Sequence, residues 1–303
     1  MATTSSPVNR PVAGALWMLL SGLAFVAVNG IVKYLGEALP SAEAAFLRYG
    51  LGLVFLIPMI RPMLAAKLSG RVLRLFAIRG GLHAVAVILW FFAMARIPIA
   101  EVTALNYLAP VCVTIGAGLF LGEKLAFRRI AAVLVALVGV MIVLRPGART
   151  VEPGHIAMLC AAVLFAGSYL MAKKLSGTVG ATVIVGMLSL TVTIGLIPFA
   201  IAHWVRPTWA EVGWLLTTAA FATVGHLAMT QAFRMAPVTV TQPVTFLQLL
   251  WATLLGALFF GERVDAFVLL GGGIIIAAIA FITWREAVLN RRGVTPVVNA
   301  PEL

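Results

Sequence analysis

Residues 98–124 read PIAEVTALNYLAPVCVTIGAGLFLGEK, and residues 237–263 read PVTVTQPVTFLQLLWATLLGALFFGER. Laid over one another at an offset of 139, without a gap, they share Pro98/Pro237, Thr114/Thr253, Leu119/Leu258, Phe120/Phe259, Gly122/Gly261 and Glu123/Glu262. Each opens on a proline, stays apolar for the length of a membrane crossing, and closes Gly-Glu plus a basic residue. An offset of 140 aligns the earlier part of each half: Gly14/Gly154, Met18/Met158, Leu19/Leu159, Phe25/Phe165, Lys33/Lys173, Ile57/Ile197 and Pro58/Pro198. A nearly constant offset over most of the chain marks a tandem duplication, and its function belongs where the two copies meet.

Hydrophobic residues make up 62% of the chain and charged ones 11%. A soluble domain carries roughly a quarter charged residues, so this chain is integral to a membrane and the lipid bilayer is its first partner. With about 20 apolar residues per crossing, ten spans are expected, at roughly 12–35, 43–60, 75–95, 99–121, 126–144, 154–173, 181–203, 210–233, 238–260 and 265–284. The fold class is therefore all-α, ten transmembrane helices in two five-helix repeats (12–145 and 153–285), with residues 1–11 and 293–303 as disordered tails. The apolar run from Val12 lacks a short core followed by a small-residue cleavage site, so it reads as the first span and not as a signal peptide.

The net charge of +12 is better explained by the positive-inside rule than by nucleic acid, because the basic residues sit in short loops between spans and form no single face. One side collects Arg10, Arg61, Lys67, Arg71, Arg74, Lys124, Arg128, Arg129, Lys173, Lys174, Arg234, Arg285, Arg291 and Arg292. The other holds only Lys33, Arg96, Arg145, Arg149, Arg206 and Arg263. Both termini are thereby expected in the cytoplasm. Five spans per half is an odd number, so the second copy enters the bilayer from the opposite side. Inverted repeats of this kind are the mark of alternating-access carriers.

These features resemble the drug/metabolite transporter superfamily, specifically its EamA-type bacterial members, in which each five-span half closes Gly-Glu-Lys/Arg after its fourth span. Glu43-Ala-Ala-Phe46-Leu47-Arg48-Tyr49 is similar to that family's acidic-then-Phe-x-Arg pattern, and Lys33-Tyr34-Leu35-Gly36 resembles the branch with S-adenosylmethionine and riboflavin uptake carriers. The resemblance implies the cell inner membrane, a central cavity lined by spans 1–4 and 6–9, and spans 5 and 10 at the periphery. The second half departs from it, since Leu188 stands where Arg48 stands in the first.

Candidate substrate contacts follow from helical spacing. Thr103, Asn106, Tyr107 and Pro110 share one face of span 4. Their repeat partners Gln242, Thr245, Phe246 and Leu249 share one face of span 9, with Gln248 and Trp251 close by. Polar side chains in hydrocarbon turn toward protein or a water-filled cavity, so these faces either wall a substrate site or bond neighbouring helices. Arg48 either snorkels to the headgroups or faces the cavity, where it can pair with a carboxylate or phosphate. Arg79 and Lys33 have the snorkelling explanation. His83 and His226 lie mid-span, as ligands or proton-exchanging groups, or as histidines satisfied by a neighbouring helix. Trp90, Tyr107, Tyr169 and Trp251 are deep enough to stack on a planar or cationic solute, or simply to pack. Glu101 is the coupling candidate, a lone acid whose pKa desolvation would raise, although its shallow position favours a solvated interfacial carboxylate instead.

Other classes fare less well. Ser168 with His226 makes a poor hydrolase dyad, since no glycine follows the serine. His-x-x-x-His, Cys-x-x-Cys, paired acids and a Walker-type loop are all missing from the sequence, so no metal or other cofactor is expected. Cys112 and Cys160 read as packing residues. A channel would need a continuous polar stripe, whereas the polar residues here gather near mid-depth. Pro58, Pro110, Pro198 and Pro243 are hinge candidates. Gly118/Gly122 and Gly271-Gly272-Gly273 are close-approach faces, the latter also open to a homodimer contact. The expectation is a carrier of a small organic solute, not an enzyme.

Overall fold

The computed structural model describes residues 11–120, 127–148, 150–176, 178–235, 244 and 247–293. The tails, the first Gly-Glu-Lys turn and most of the segment from Pro237 to Phe246 lie outside these residues. The described chain is all-helical: α1 (Pro11–Leu35), α2 (Ser41–Gly52), a 3₁₀ stretch (Leu53–Met59), α3 (Ile60–Ala65), α4 (Gly70–Arg96), α5 (Ile99–Asn106) and α6 (Leu108–Phe120). There follow α7 (Phe127–Leu144), α8 (Pro153–Ser176), α9 (Ala181–Ala202), α10 (Trp209–Met235), α11 (Leu247–Phe260) and α12 (Ala266–Gly293).

Among the described residues seven helical runs are long and apolar enough to cross a membrane. Three shorter apolar helices, Ile130–Leu144, Leu247–Phe260 and Ala266–Phe281, stand where the fifth, ninth and tenth spans are expected. Local chemistry sets many of the ends. Ser69 Oγ accepts the Val72 N–H at 3.4 Å to start α4. Thr208 and Glu211 form a reciprocal capping box before α10, with bonds of 2.7 and 3.3 Å.

Two spans differ from the single rods expected. The second passes through a 3₁₀ stretch that contains Pro58, whose missing N–H leaves the preceding turn without its α-helical bond. The fourth breaks at Tyr107 into α5 and α6. Pro110 lies four residues beyond Asn106, the last residue of α5; its ring displaces that carbonyl and it has no N–H to offer it.

The three most extensive helix contacts, α1 on α10, α4 on α8 and α7 on α12, each join the first repeat to the second. The halves are interleaved through small residues: Ala45, Ala86, Ala93, Ala104, Ala136, Ala161 and Ala252 are fully buried. Where α7 crosses α12, a Cβ on Gly139 would lie 2.7 Å from the Gly271 carbonyl oxygen, so the backbones themselves touch. Gly271 thus serves packing within the chain.

Among the described residues three ion pairs, Lys33–Glu262, Arg96–Glu37 and Arg145–Asp265, and the His155–Glu101 hydrogen bond gather at the C-terminal ends of α1, α4 and α7 and the N-terminal ends of α5, α8 and α12, which the alternating course of the chain brings to one end of the bundle. The opposite end exposes Arg61, Lys67, Arg71, Arg74 and Lys174. At the ion-paired end Gly261 takes φ of 64° and stops α11. The Glu262 N–H returns to Gly256 O at 3.0 Å, which folds the chain back onto the last turn of α11. That turn sends the Glu262 carboxylate to the N-terminus of α5, where Oε2 accepts the Ile99 N–H at 2.9 Å. Lys33 sits 3.3 Å from Oε1 and donates to Ile97 O at 2.8 Å. The Gly-Glu-Arg motif of the second half is therefore a helix stop followed by a cap on a helix of the first half, and Lys33 is paired within the protein.

Candidate functional site

A cavity of about 290 Å³ lies between the repeats, near the lower end of the range for small-molecule sites. Arg48, His83, Trp90, Thr103, Asn106, Tyr107, His226 and Gln248 all reach its wall. The break between α5 and α6 supplies Asn106 and Tyr107, so the interruption forced by Pro110 opens directly on the cavity. Trp251 is not part of the wall and is partly exposed. Gln242, Thr245 and Phe246 lie outside the described residues.

Glu101 is also off the wall, and it is not a solvated interfacial carboxylate. It is 3% exposed, and its Oε2 lies 2.5 Å from His155 Nε2. The Glu152 N–H donates to His155 Nδ1 at 3.0 Å, so in this arrangement Nε2 carries the proton and donates to the carboxylate. A pair of this kind ties α5 to the first helix of the second repeat. Arg79 does not snorkel either: it is 5% exposed and donates to Ile184 O at 3.0 Å.

The wall also includes residues that helical spacing alone did not single out: Phe25, Asn29, Tyr49, Phe165 and Met229. The repeat offset contained the signal. Phe25/Phe165 and Asn29/Tyr169 are 140 apart, Val87/His226 and Trp90/Met229 are 139 apart, and all eight line the cavity.

A polar chain crosses between the halves at one side. Tyr49 Oη lies 3.1 Å from His83 Nε2, and His83 Nδ1 lies 3.1 Å from Ser168 Oγ. Both hydroxyls can donate or accept, so the neutral ring is satisfied in either tautomer. Ser168 thus meets His83 and not His226; fully buried, it is poorly placed to attack a solute. The His83 ring stands edge-on to Phe165 with centroids 4.9 Å apart, and Phe165 stacks on Tyr169 at 6.2 Å and 13°. Opposite, His226 meets Phe25 edge-on at 5.0 Å. Asn29 Nδ2 donates to Thr103 Oγ1 at 3.4 Å, joining α1 to α5.

Arg48 stands apart from this network. Its guanidinium carbon lies 4.2 Å from the Tyr49 ring centroid, and among the described residues it makes no hydrogen bond or ion pair. No group of three or more His, Cys, Asp or Glu residues gathers as a metal site among the described residues.

Residues 12–145 and 152–284 each match the sequence profile of the EamA-like transporter family. The chain is 32% identical to a protein named riboflavin transporter from Vibrio cholerae, over 94% of this chain and 97% of that one. It is 31% identical to a riboflavin transporter from Rhizobium johnstonii, with coverages of 94% and 95%. An S-adenosylmethionine uptake transporter from Rickettsia bellii is 28% identical, with coverages of 90% and 94%. A solved crystal structure superposes with a TM-score of 0.59 at 18% identity, over 94% of this chain and 99% of that one, a likeness of fold.

Proposed function

The chain belongs to the EamA-like transporter family, and on that premise we propose that it is a ten-span inner-membrane carrier that moves a small organic metabolite by alternating access. The observation that carries this reading is the cavity, placed at the seam of two repeats and walled by positions that the repeat offset relates. Inverted repeats that rock about a shared site expose it to each face in turn. In this reading the ion-paired end is the outer gate, held shut here by Glu262, Lys33 and the α5 N-terminus, and both termini face the cytoplasm. Enzyme chemistry gains no support, because the buried Ser168 has no path to a solute.

The relatives named for riboflavin and S-adenosylmethionine make these the first solutes to try. The test is uptake into proteoliposomes, with counterflow to separate a carrier from a pore. Saturable uptake accelerated by the same solute on the far side is expected, and Val87→Trp, which fills the cavity, should abolish it. Flux that never saturates, or that ignores Val87→Trp, would overturn the carrier reading.

A further inference from the structure

The cavity holds a positive charge that no carboxylate among the described residues pairs with. Arg48 reaches the wall with its donors unengaged by any described residue. Arg79, beside the same cavity wall one turn before His83, spends one donor on Ile184 O, and its Nε is buried with no partner among the described residues. No acidic residue occurs in the sequence between Glu43 and Glu101, the interval that contains both arginines. Neighbouring carboxylates are engaged elsewhere: Glu43 accepts the Val205 N–H at 2.9 Å, Glu101 meets His155, and Glu262 meets Lys33. Two guanidiniums within the spans of a membrane protein are costly unless a counter-charge offsets them, and among the described residues neither pairs with a carboxylate. The remainder of the wall is largely aromatic, and its stacked Phe165–Tyr169 pair and Trp90 offer flat faces.

We propose that the cavity takes a planar aromatic solute bearing a carboxylate or phosphate, with the acidic group on Arg48 and the ring against Trp90, Phe165 and Tyr169. The inference rests on the carrier reading and narrows it. Its consequence is a rule of charge. Of two solutes with one ring, the anion is favoured over the cation, because the cation meets Arg48 with no carboxylate to offset it. Arg79 adds to the positive potential from behind the wall and touches no solute.

Two ligand series separate the arms. Indole-3-acetate, tryptophan and tryptamine share one ring and run from anion through zwitterion to cation; riboflavin and flavin mononucleotide differ by one phosphate. Binding to the purified full-length protein is measured by calorimetry, in the unmodified chain and in Arg48→Gln, Arg48→Lys and Val87→Trp. The expected result is an anion preference of about tenfold or more within a series, the order of one charge-assisted hydrogen bond. It should collapse in Arg48→Gln and survive in part in Arg48→Lys, with gel-filtration profiles and melting temperatures confirming that both variants fold. A preference in the indole series alone assigns a carboxylate; one in the flavin series alone assigns a phosphate. Tryptamine binding as tightly as indole-3-acetate, an anion preference untouched by Arg48→Gln, or no binding of any anion would overturn the proposal. The carrier reading would survive these results if Val87→Trp still stopped uptake of another solute, and would fall with it if Val87→Trp changed nothing.

Discussion

Removing the Glu262 carboxylate should open the ion-paired end of the bundle, and the size of the effect can be worked from the contacts. Oε2 caps Ile99 at 2.9 Å, which is worth about 1 kcal/mol by comparison with helix caps in general. The pairing with Lys33 at 3.3 Å joins side chains that are 12% and 16% exposed, and is worth on the order of 1–2 kcal/mol for a charged partner in such a setting. Lys33 keeps its bond to Ile97 O, so its ammonium is not stranded. Glu262→Gln retains an acceptor for Ile99 and loses only the ion pair, while Glu262→Ala loses both. The closed end should therefore become less populated by about 5- to 30-fold in the glutamine variant, and further in the alanine variant. With Cys112 and Cys160 replaced by serine, Asn106→Cys reports from the cavity wall. An impermeant maleimide added to proteoliposomes from the ion-paired side should label it slowly in the parent, faster in Glu262→Gln and fastest in Glu262→Ala. Equal rates in all three, with melting temperatures unchanged, would refute the latch.

Gly139→Leu drives a side chain into the Gly271 carbonyl and should cost about 1–3 kcal/mol, read as a fall in melting temperature in detergent; an unchanged melt would show that α7 and α12 do not depend on this contact. Ser168→Ala strips a partner from the buried His83 Nδ1 and should destabilise by about 1–3 kcal/mol, with Ser168→Thr closer to the parent. His155→Ala leaves the Glu101 carboxylate without its imidazole and should lower the melting temperature by more than Ser168→Ala does, since a buried charge loses its partner. Pro110→Ala restores the N–H that faces Asn106; it should make the fourth span more continuous and slow uptake without lowering stability, and equal uptake would show that the break is not used in transport.

The repeat and the class of fold were legible because a duplication leaves identical residues at a fixed offset, and because a hydrocarbon solvent demands long apolar helices. Much of the cavity wall was legible for the same reason: Thr103, Asn106 and Tyr107 share a helical face, and both mid-span histidines reach the cavity. The partners of the charged residues were not. Lys33, Arg79 and Glu101 each lie near the end of a span, where depth alone favours snorkelling or solvation. Each is instead engaged by a residue far along the chain: Glu262, the Ile184 carbonyl and His155. Such contacts depend on how the second repeat is laid against the first, and helical period carries no information about that. Tyr49 was overlooked for a related reason, since its role comes from reaching His83 on another helix.

The pattern of symmetry and its loss connects the architecture to selectivity. Phe25 and Phe165 are the same residue at related positions, and both face the cavity. At other related positions the chemistry diverges: Asn29 opposes Tyr169, Val87 opposes His226, and Trp90 opposes Met229. Arg48 and Tyr49 line the wall, while Leu188 and Ser189 hold their places in the second copy and do not. The proposed rocking needs two halves of equivalent shape, and the glycine-glutamate ends of the two repeats are matched. One small solute has no two-fold axis to match that of the protein. A single arginine on one side of the seam can fix which end of the solute faces which half, and a symmetric pair of arginines would hold two orientations equally. The departure of Leu188 from Arg48 is thus what a carrier for an asymmetric, singly anionic molecule requires. Leu188→Arg should accordingly weaken discrimination between ligands with one acidic group and those with two, and an unaltered preference would show that orientation is set elsewhere.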